Sequence, residues 1–190
     1  MGKIYDEIDG RLREFILAQP LFFVATAPSD PVGRVNLSPK GLRGTFAVLG
    51  PRRVAYLEYT GSGIETIGHL RDNGRITIMF CAFAGAPTIV RLHGRGESVL
   101  PGDAGFAALR AAFPAEEDHG VRSVIVVDVE RVSDSCGFSV PYLDYVGDRD
   151  LLTRWAGNRT AEDLEEYRRQ RNGTTIDGLP ALAGPGPTAR

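Results

Sequence analysis

Three short stretches carry side chains that could do chemistry together. The first is Val35-Asn36-Leu37-Ser38-Pro39-Lys40-Gly41, which offers an amide, a hydroxyl and an ammonium within five residues. Residues two apart on a strand share a face, so Asn36 and Ser38 project together and Val35 and Leu37 are expected to enter the core. Pro39 lacks a ladder donor, so Lys40 need not follow the alternation. Such a face can satisfy the edge of a polar heterocycle. It can equally be the solvated side of an edge strand, because polar alternation is usual in antiparallel sheets.

The second stretch, Tyr59-Thr60-Gly61-Ser62-Gly63-Ile64-Glu65-Thr66, reads as a strand running through a Gly-rich turn into a helix start. Open backbone N–H groups and the positive end of the helix dipole suit a phosphate there. The hydroxyls of Thr60, Ser62 and Thr66 could add donors. Ser62 followed by Glu65 is also a capping box, which would satisfy the same N–H groups internally. Glu65 would repel a phosphate at close range. Neither a dinucleotide fingerprint nor a P-loop is present, since the glycine spacing and the required Lys are missing.

The third stretch holds Arg91, His93 and Arg95 at every second residue, on one strand face opposite Val90 and Leu92. Three basic groups could grip a phosphate, or form salt bridges on a solvated exterior. His69, His93 and His119 show no metal-ligand spacing, so no metal site is expected. No Gly-x-Ser-x-Gly elbow marks a serine hydrolase. Cys136, in the polar run Ser133 to Gly137, is expected on a turn as an ordinary thiol, and Trp155 as a packing residue.

The elements that must hold these groups are mainly strands. Ile4, Ile8, Leu12, Phe15 and Ile16 predict a helix over 4–19, ended by Pro20. Strands are predicted over 21–27, 34–41, 45–49, 53–59, 76–83, 88–99 and 123–132, with short helices over 62–71 and 103–113. Helical texture returns at Leu151, Leu152 and Trp155 and again over 162–171, where Glu165 stands four residues before Arg169. About seven strands in succession with few helices predict a closed or split antiparallel barrel. The expectation is one domain over 1–183 with helical flanks, and a flexible Gly- and Pro-rich tail over 184–190.

Composition narrows the function class. The 190 residues are enough for one core, and 22 basic against 24 acidic residues leave a net charge of −2. That balance argues against a nucleic-acid partner. No apolar run approaches the ~20 residues needed to cross a bilayer, and the polar, acidic start is unlike a secretory signal. A soluble, cytoplasmic, single-domain globule is expected.

In sequence these segments resemble the pyridoxamine 5′-phosphate oxidase-like, flavin-binding split-barrel family. The likeness runs from about residue 20 to residue 182. It is carried by 35–41, 54–63, His69 to Arg75, Arg91 to Gly96, Arg131 to Gly137 and Ile176 to Pro180. The resemblance implies a mainly β protein with flanking helices, an antiparallel split β-barrel of the FMN-binding type. It further implies a homodimer with FMN in each of two clefts between subunits. Asn36 and Ser38 would line the flavin, Lys40 would touch flavin or substrate, and the stretch Tyr59, Thr60, Ser62 and Thr66 would hold the phosphate, helped by Arg91. The chain departs from the oxidase proper in lacking its Arg-Lys pair at the phosphate loop and in having Ile89 where the oxidase has Gln. Its carboxy-terminal Trp and Arg pair is not recognisable either. The implied function is an oxidoreductase of unassigned substrate. A non-catalytic flavin or haem carrier, with His93 as the one candidate haem ligand, or a deazaflavin reductase are the alternatives on the same scaffold.

Overall fold

The computed structural model describes residues 2–114 and 118–182, so the predicted tail over 184–190 lies outside the described residues. Ile4 and Tyr5 do not begin the first helix, as periodicity suggested. They form a two-residue strand, β1 (Ile4–Tyr5), against the far end of the longest strand. Helix α1 (Gly10–Ala18) starts later because Asp9 caps it, its carboxylate accepting from the Leu12 N–H at 2.7 Å. Leu12 and Ile16, one turn apart, are buried.

Seven further strands follow: β2 (Phe22–Thr26), β3 (Asn36–Lys40), β4 (Phe46–Gly50), β5 (Arg53–Tyr59), β6 (Arg75–Cys81), β7 (Thr88–Val99) and β8 (Val121–Cys136). All pairings are antiparallel, in the order β3-β2-β6-β7-β8-β5-β4, with β1 on β8. The split arises on β8. Its first half lies between β5 and the end of β7, and its second half between β1 and the start of β7. Phe46 of β4 meets Phe22 of β2 at 5.0 Å and Phe80 of β6 at 5.1 Å, although β4 lies at the opposite end of the strand order. The sheet therefore curls into a barrel around an apolar core. This is the mainly β, antiparallel split barrel that the strand count led us to expect.

Four more helices flank it: α2 (Glu65–Asn73), α3 (Phe106–Arg110), α4 (Leu151–Gly157) and α5 (Ala161–Arg171). Helix α5 is capped by a reciprocal Thr160–Asp163 box. The expected Glu165–Arg169 pair does not form. Arg169 reaches Glu166 instead, at 2.6 Å, since a spacing of three residues also brings side chains together on a helix surface. Trp155 packs edge-on to Tyr167 and ties α4 to α5, in the packing role expected of it. Cys136 ends β8 rather than sitting on a turn, because β8 runs past the expected end at Val132 to pair with β7. Among the described residues no helix is long and apolar enough to cross a membrane.

Candidate functional site

Strand β3 carries the first surprise. Asn36, Ser38 and Lys40 pair with Thr26, Val24 and Phe22, whose side chains face the barrel interior. Val35 and Leu37, expected in the core, are 72% and 66% exposed. Alternation has a period but no sign, so it could not say which face is inward. Here β3 is an edge strand, and the inward polar groups find polar partners. The edge position also accommodates Pro39, which pairs with Phe23 inside the ladder. Lys40 therefore keeps the alternation, which the sequence had left open after Pro39.

The inward groups form a chain of hydrogen bonds. The Ser38 hydroxyl donates to the Asn36 Oδ1 at 2.8 Å. Asn36 Nδ2 donates to the Thr26 hydroxyl at 3.2 Å and to the Thr66 hydroxyl, on α2, at 3.3 Å. The Thr26 hydroxyl lies 3.0 Å from Nδ1 of His69, which is wholly buried. Neither Thr26 nor His69 stood out as a site residue in the sequence. Burial lowers the His69 pKa from its ordinary 6.5, against the opposing pull of Glu65, Asp177 and Asp72. The folded protein thus keeps this imidazole neutral, while the unfolded chain protonates it below about pH 6.5. Stability from this source is full above that pH and lost as pH falls towards the lower folded value. Urea midpoints should therefore drop between pH 7.5 and pH 5.5, and His69→Gln should flatten the drop. An unchanged slope would show that the ring is protonated in the folded state.

The helix start differs from both readings of its sequence. Helix α2 begins at Glu65, its N-cap is Ile64, and no side chain caps it. Ser62 is exposed and forms no capping box. Instead the Ile64 N–H donates to Glu65 Oε2 at 3.0 Å, so the carboxylate folds back over the helix end. Thr60 is almost wholly buried and its hydroxyl accepts from Arg168 Nε of α5 at 2.8 Å. Arg91 does not join this region. It alternates with the buried Val90 and Leu92, and so projects from the outer face, where it donates to Ser135 Oγ at 2.9 Å. The strand period that grouped Arg91 with His93 also separates it from Thr66, Asn36 and Ser38.

Two residues absent from the sequence expectations occupy the centre. The β5–β8 register shifts between Glu58 and Tyr59, pairing them with Ser123 and Val121 and leaving Arg122 as the bulged residue. The Arg122 guanidinium turns inward and donates to Glu58 Oε1 at 3.0 Å, to the Gly63 carbonyl at 2.8 Å and to Asn172 Oδ1 at 2.9 Å. Lys40 Nζ donates to the same Glu58 oxygen at 2.7 Å. Burial alone would raise the Glu58 pKa, but the two flanking cations hold it below the ordinary carboxylate value. Glu58 is 3% exposed, and its Oε2 is buried without a protein partner. The sequence signal was there: Glu58 follows an apolar run in β5, and Arg122 stands at the start of the apolar run of β8.

Lys40, Glu58 and Tyr59 line a cavity of about 650 Å³ at this end of the barrel. Leu21, Leu57, Phe83, Leu143 and Leu152 form much of its wall, and the stretch 143–152 closes one side. That stretch is held by the Leu143 N–H on the Phe83 carbonyl and by Arg43 stacked 4.2 Å from the Tyr145 ring. The volume and the apolar walls suit a planar conjugated ring with a few directed polar contacts. A phosphate is served less fully. The Thr60 and Thr66 hydroxyls are already bonded, Ser62 alone is exposed, and Glu65 covers the helix end. Among the described residues, no cluster of His, Cys, Asp and Glu could hold a metal ion.

Comparison with known proteins gives a consistent result. The family model for pyridoxamine 5′-phosphate oxidase matches residues 8–136. The pyridoxamine 5′-phosphate oxidase family protein ustO of Aspergillus flavus is 42% identical over 197 residues, covering 96% of this chain and 78% of that protein. Among solved structures, HupZ of Group A Streptococcus aligns with a TM-score of 0.51 and 27% identity, over 66% of this chain and 91% of HupZ. A FAD-binding protein of Mesorhizobium loti shares the fold at a TM-score of 0.50 and 14% identity, over 70% of this chain and 95% of its own.

Proposed function

The chain belongs to the pyridoxamine 5′-phosphate oxidase family, and from that premise we propose that it is a flavin-binding oxidoreductase of a small molecule, with FMN as cofactor. The observation that carries the reading is the apolar cavity with Lys40, Glu58 and Tyr59 at its inner end. A flavin bound there would supply the redox chemistry, taking up a hydride equivalent from the substrate. The chain's own residues bind and orient. Asn36 is pre-positioned by its bonds to Thr26 and Thr66 and Ser38 by its bond to Asn36, Lys40 would keep positive charge near the ring, and the apolar walls would limit water. Ser62 and the open N–H groups of the first turn of α2 would hold the phosphate, which requires Glu65 to leave the Ile64 N–H. Thr60 and Thr66 back that loop, and Tyr59 borders the ring.

A homodimer is part of the same proposal. Exposed Val35 and Leu37 adjoin half-buried Phe23 and Met79 on the outer face, an apolar strip that a second copy would cover. Arg91 lies on that face, so it reaches a cofactor only across such a contact. A cytoplasmic setting is proposed from composition.

FMN titration followed by fluorescence quenching tests the reading. Saturation at one flavin per chain is expected, weakened about tenfold when Ser62→Ala and Thr66→Ala are combined. An absorbance band near about 450 nm in the purified protein identifies flavin, and its absence with deazaflavin binding redirects the assignment. No uptake of either at about 100 µM removes the flavin reading. Steady NAD(P)H consumption separates an enzyme from a carrier.

A further inference from the structure

We infer that residues 141–150 form the gate of the cavity and that Arg43 is its latch, so that a ligand enters and leaves when this stretch lifts. The inference deepens the reading above and rests on its location of the ligand site.

The walls of the cavity differ in what holds them. Pro39 and Lys40 belong to β3, and Leu57, Glu58 and Tyr59 to β5, so these walls are fixed by the sheet. The remaining side draws Leu143, Asp144, Tyr145, Asp148 and Arg149 from a stretch that forms neither helix nor strand and is exposed at every residue from 141 to 150. A segment with little burial and no ladder opens at low free-energy cost. Its two ends are anchored. Strand β8 ends at Cys136, and α4, which starts at Leu151, is tied to α5 by Trp155 on Tyr167. The stretch can therefore lift between fixed ends while the barrel stays intact.

Three contacts hold it down. The Leu143 N–H donates to the Phe83 carbonyl at 3.0 Å. The other two converge on Arg43, whose backbone N–H donates to Asp148 Oδ2 at 3.0 Å and whose guanidinium lies 4.2 Å from the centre of the Tyr145 ring. The turn that presents Arg43 is itself firmly held, with the buried Thr45 donating its hydroxyl to the Leu42 carbonyl at 2.7 Å. Leu42 has a φ of 71°, the one non-Gly residue in the left-handed region among the described residues, and it lines the cavity. Strain of this kind persists only where the surroundings impose it, and here the strained turn sets Arg43 against the stretch it pins.

The test uses the full chain, Arg43→Ala and two probes: FMN, and 8-anilinonaphthalene-1-sulfonate, an apolar dye that owes nothing to flavin recognition. Arg43 is exposed, so its removal leaves the core alone. A weakened latch raises the open fraction with and without ligand alike. Stopped-flow on- and off-rates should therefore rise together, about fivefold for one lost cation–π contact, with Kd nearly unchanged. Hydrogen exchange at the Leu143 amide, which needs no ligand, should quicken by the same factor while the amides of β7 and β8 stay as slow as in the wild type. A faster off-rate with an unchanged on-rate overturns the inference, because Arg43 then touches the ligand. Unchanged exchange at Leu143 overturns it as well. So does quicker exchange there with unmoved ligand rates, which puts the entrance elsewhere. Rates that rise for the dye in a protein that takes up no FMN keep the gate and remove only the flavin. Binding of neither probe at millimolar concentration removes the cavity as a ligand site, and the gate with it.

Discussion

Arg122→Met is expected to lower the free energy of unfolding by about 3–5 kcal/mol, the usual penalty for stranding one member of a buried ion pair. Arg122 has 2% side-chain exposure and Glu58 4%, so neither can recover its solvation by turning to water. The same substitution removes donors from the carbonyls of Gly61 and Gly63, which leaves the turn before α2 less well held. A second change, Glu58→Leu on the Arg122→Met background, should restore much of the loss. It removes the buried carboxylate that Arg122→Met leaves with Lys40 but without its second cation, and Lys40, at 23% side-chain exposure, can still reach solvent. Urea denaturation of the wild type, both single variants and the double variant forms a cycle that isolates the coupling. Equal midpoints for the wild type and Arg122→Met would mean that water reaches the pair and that the interior is more open than its geometry implies.

Gly94→Ala should cost about 3 kcal/mol, at the upper end of ordinary overpacking. Gly94 lies where the β7–β8 register shifts, and an added Cβ would overlap the backbone carbonyl of Asp128. A backbone atom cannot rotate away as a side chain would, so the two long strands would have to part at their crossing. Gly157→Ala, at the end of α4 with open space around it, is the control and should leave the midpoint nearly unchanged. Thermal unfolding of the two variants side by side makes the comparison. Similar midpoints would show that the strands can separate at this point without penalty.

The strands were legible because their signals are local. Alternating or continuous apolar runs bounded by Gly and Pro placed β4, β5, β6 and β7 close to their observed ends, and succession without long helices pointed to an antiparallel barrel. The errors fall where a distant partner decides. Ile4 fits a helical spacing, yet β8 offers it and Tyr5 an unpaired edge. Ser62 and Glu65 have the spacing of a capping box, yet Asn172 and Arg122 hold the Gly61–Gly63 loop from outside and the helix starts later.

The candidate site divides along the same line. Composition, residue period and turn chemistry determined which groups could share a strand face: Asn36 with Ser38, and Arg91 with His93. They also placed Thr60, Ser62 and Thr66 around a helix start. They carried no information about which face is inward, because a period of two is symmetric until one side of the sheet is covered. Only the closed barrel turned Asn36, Ser38 and Lys40 inside, sent Arg91 outside, and used a bulge to bring Arg122 onto a Glu58 that lies 64 positions away. Burial then raised the energetic stakes of that contact, since a charge inside the barrel must find its partner within the protein.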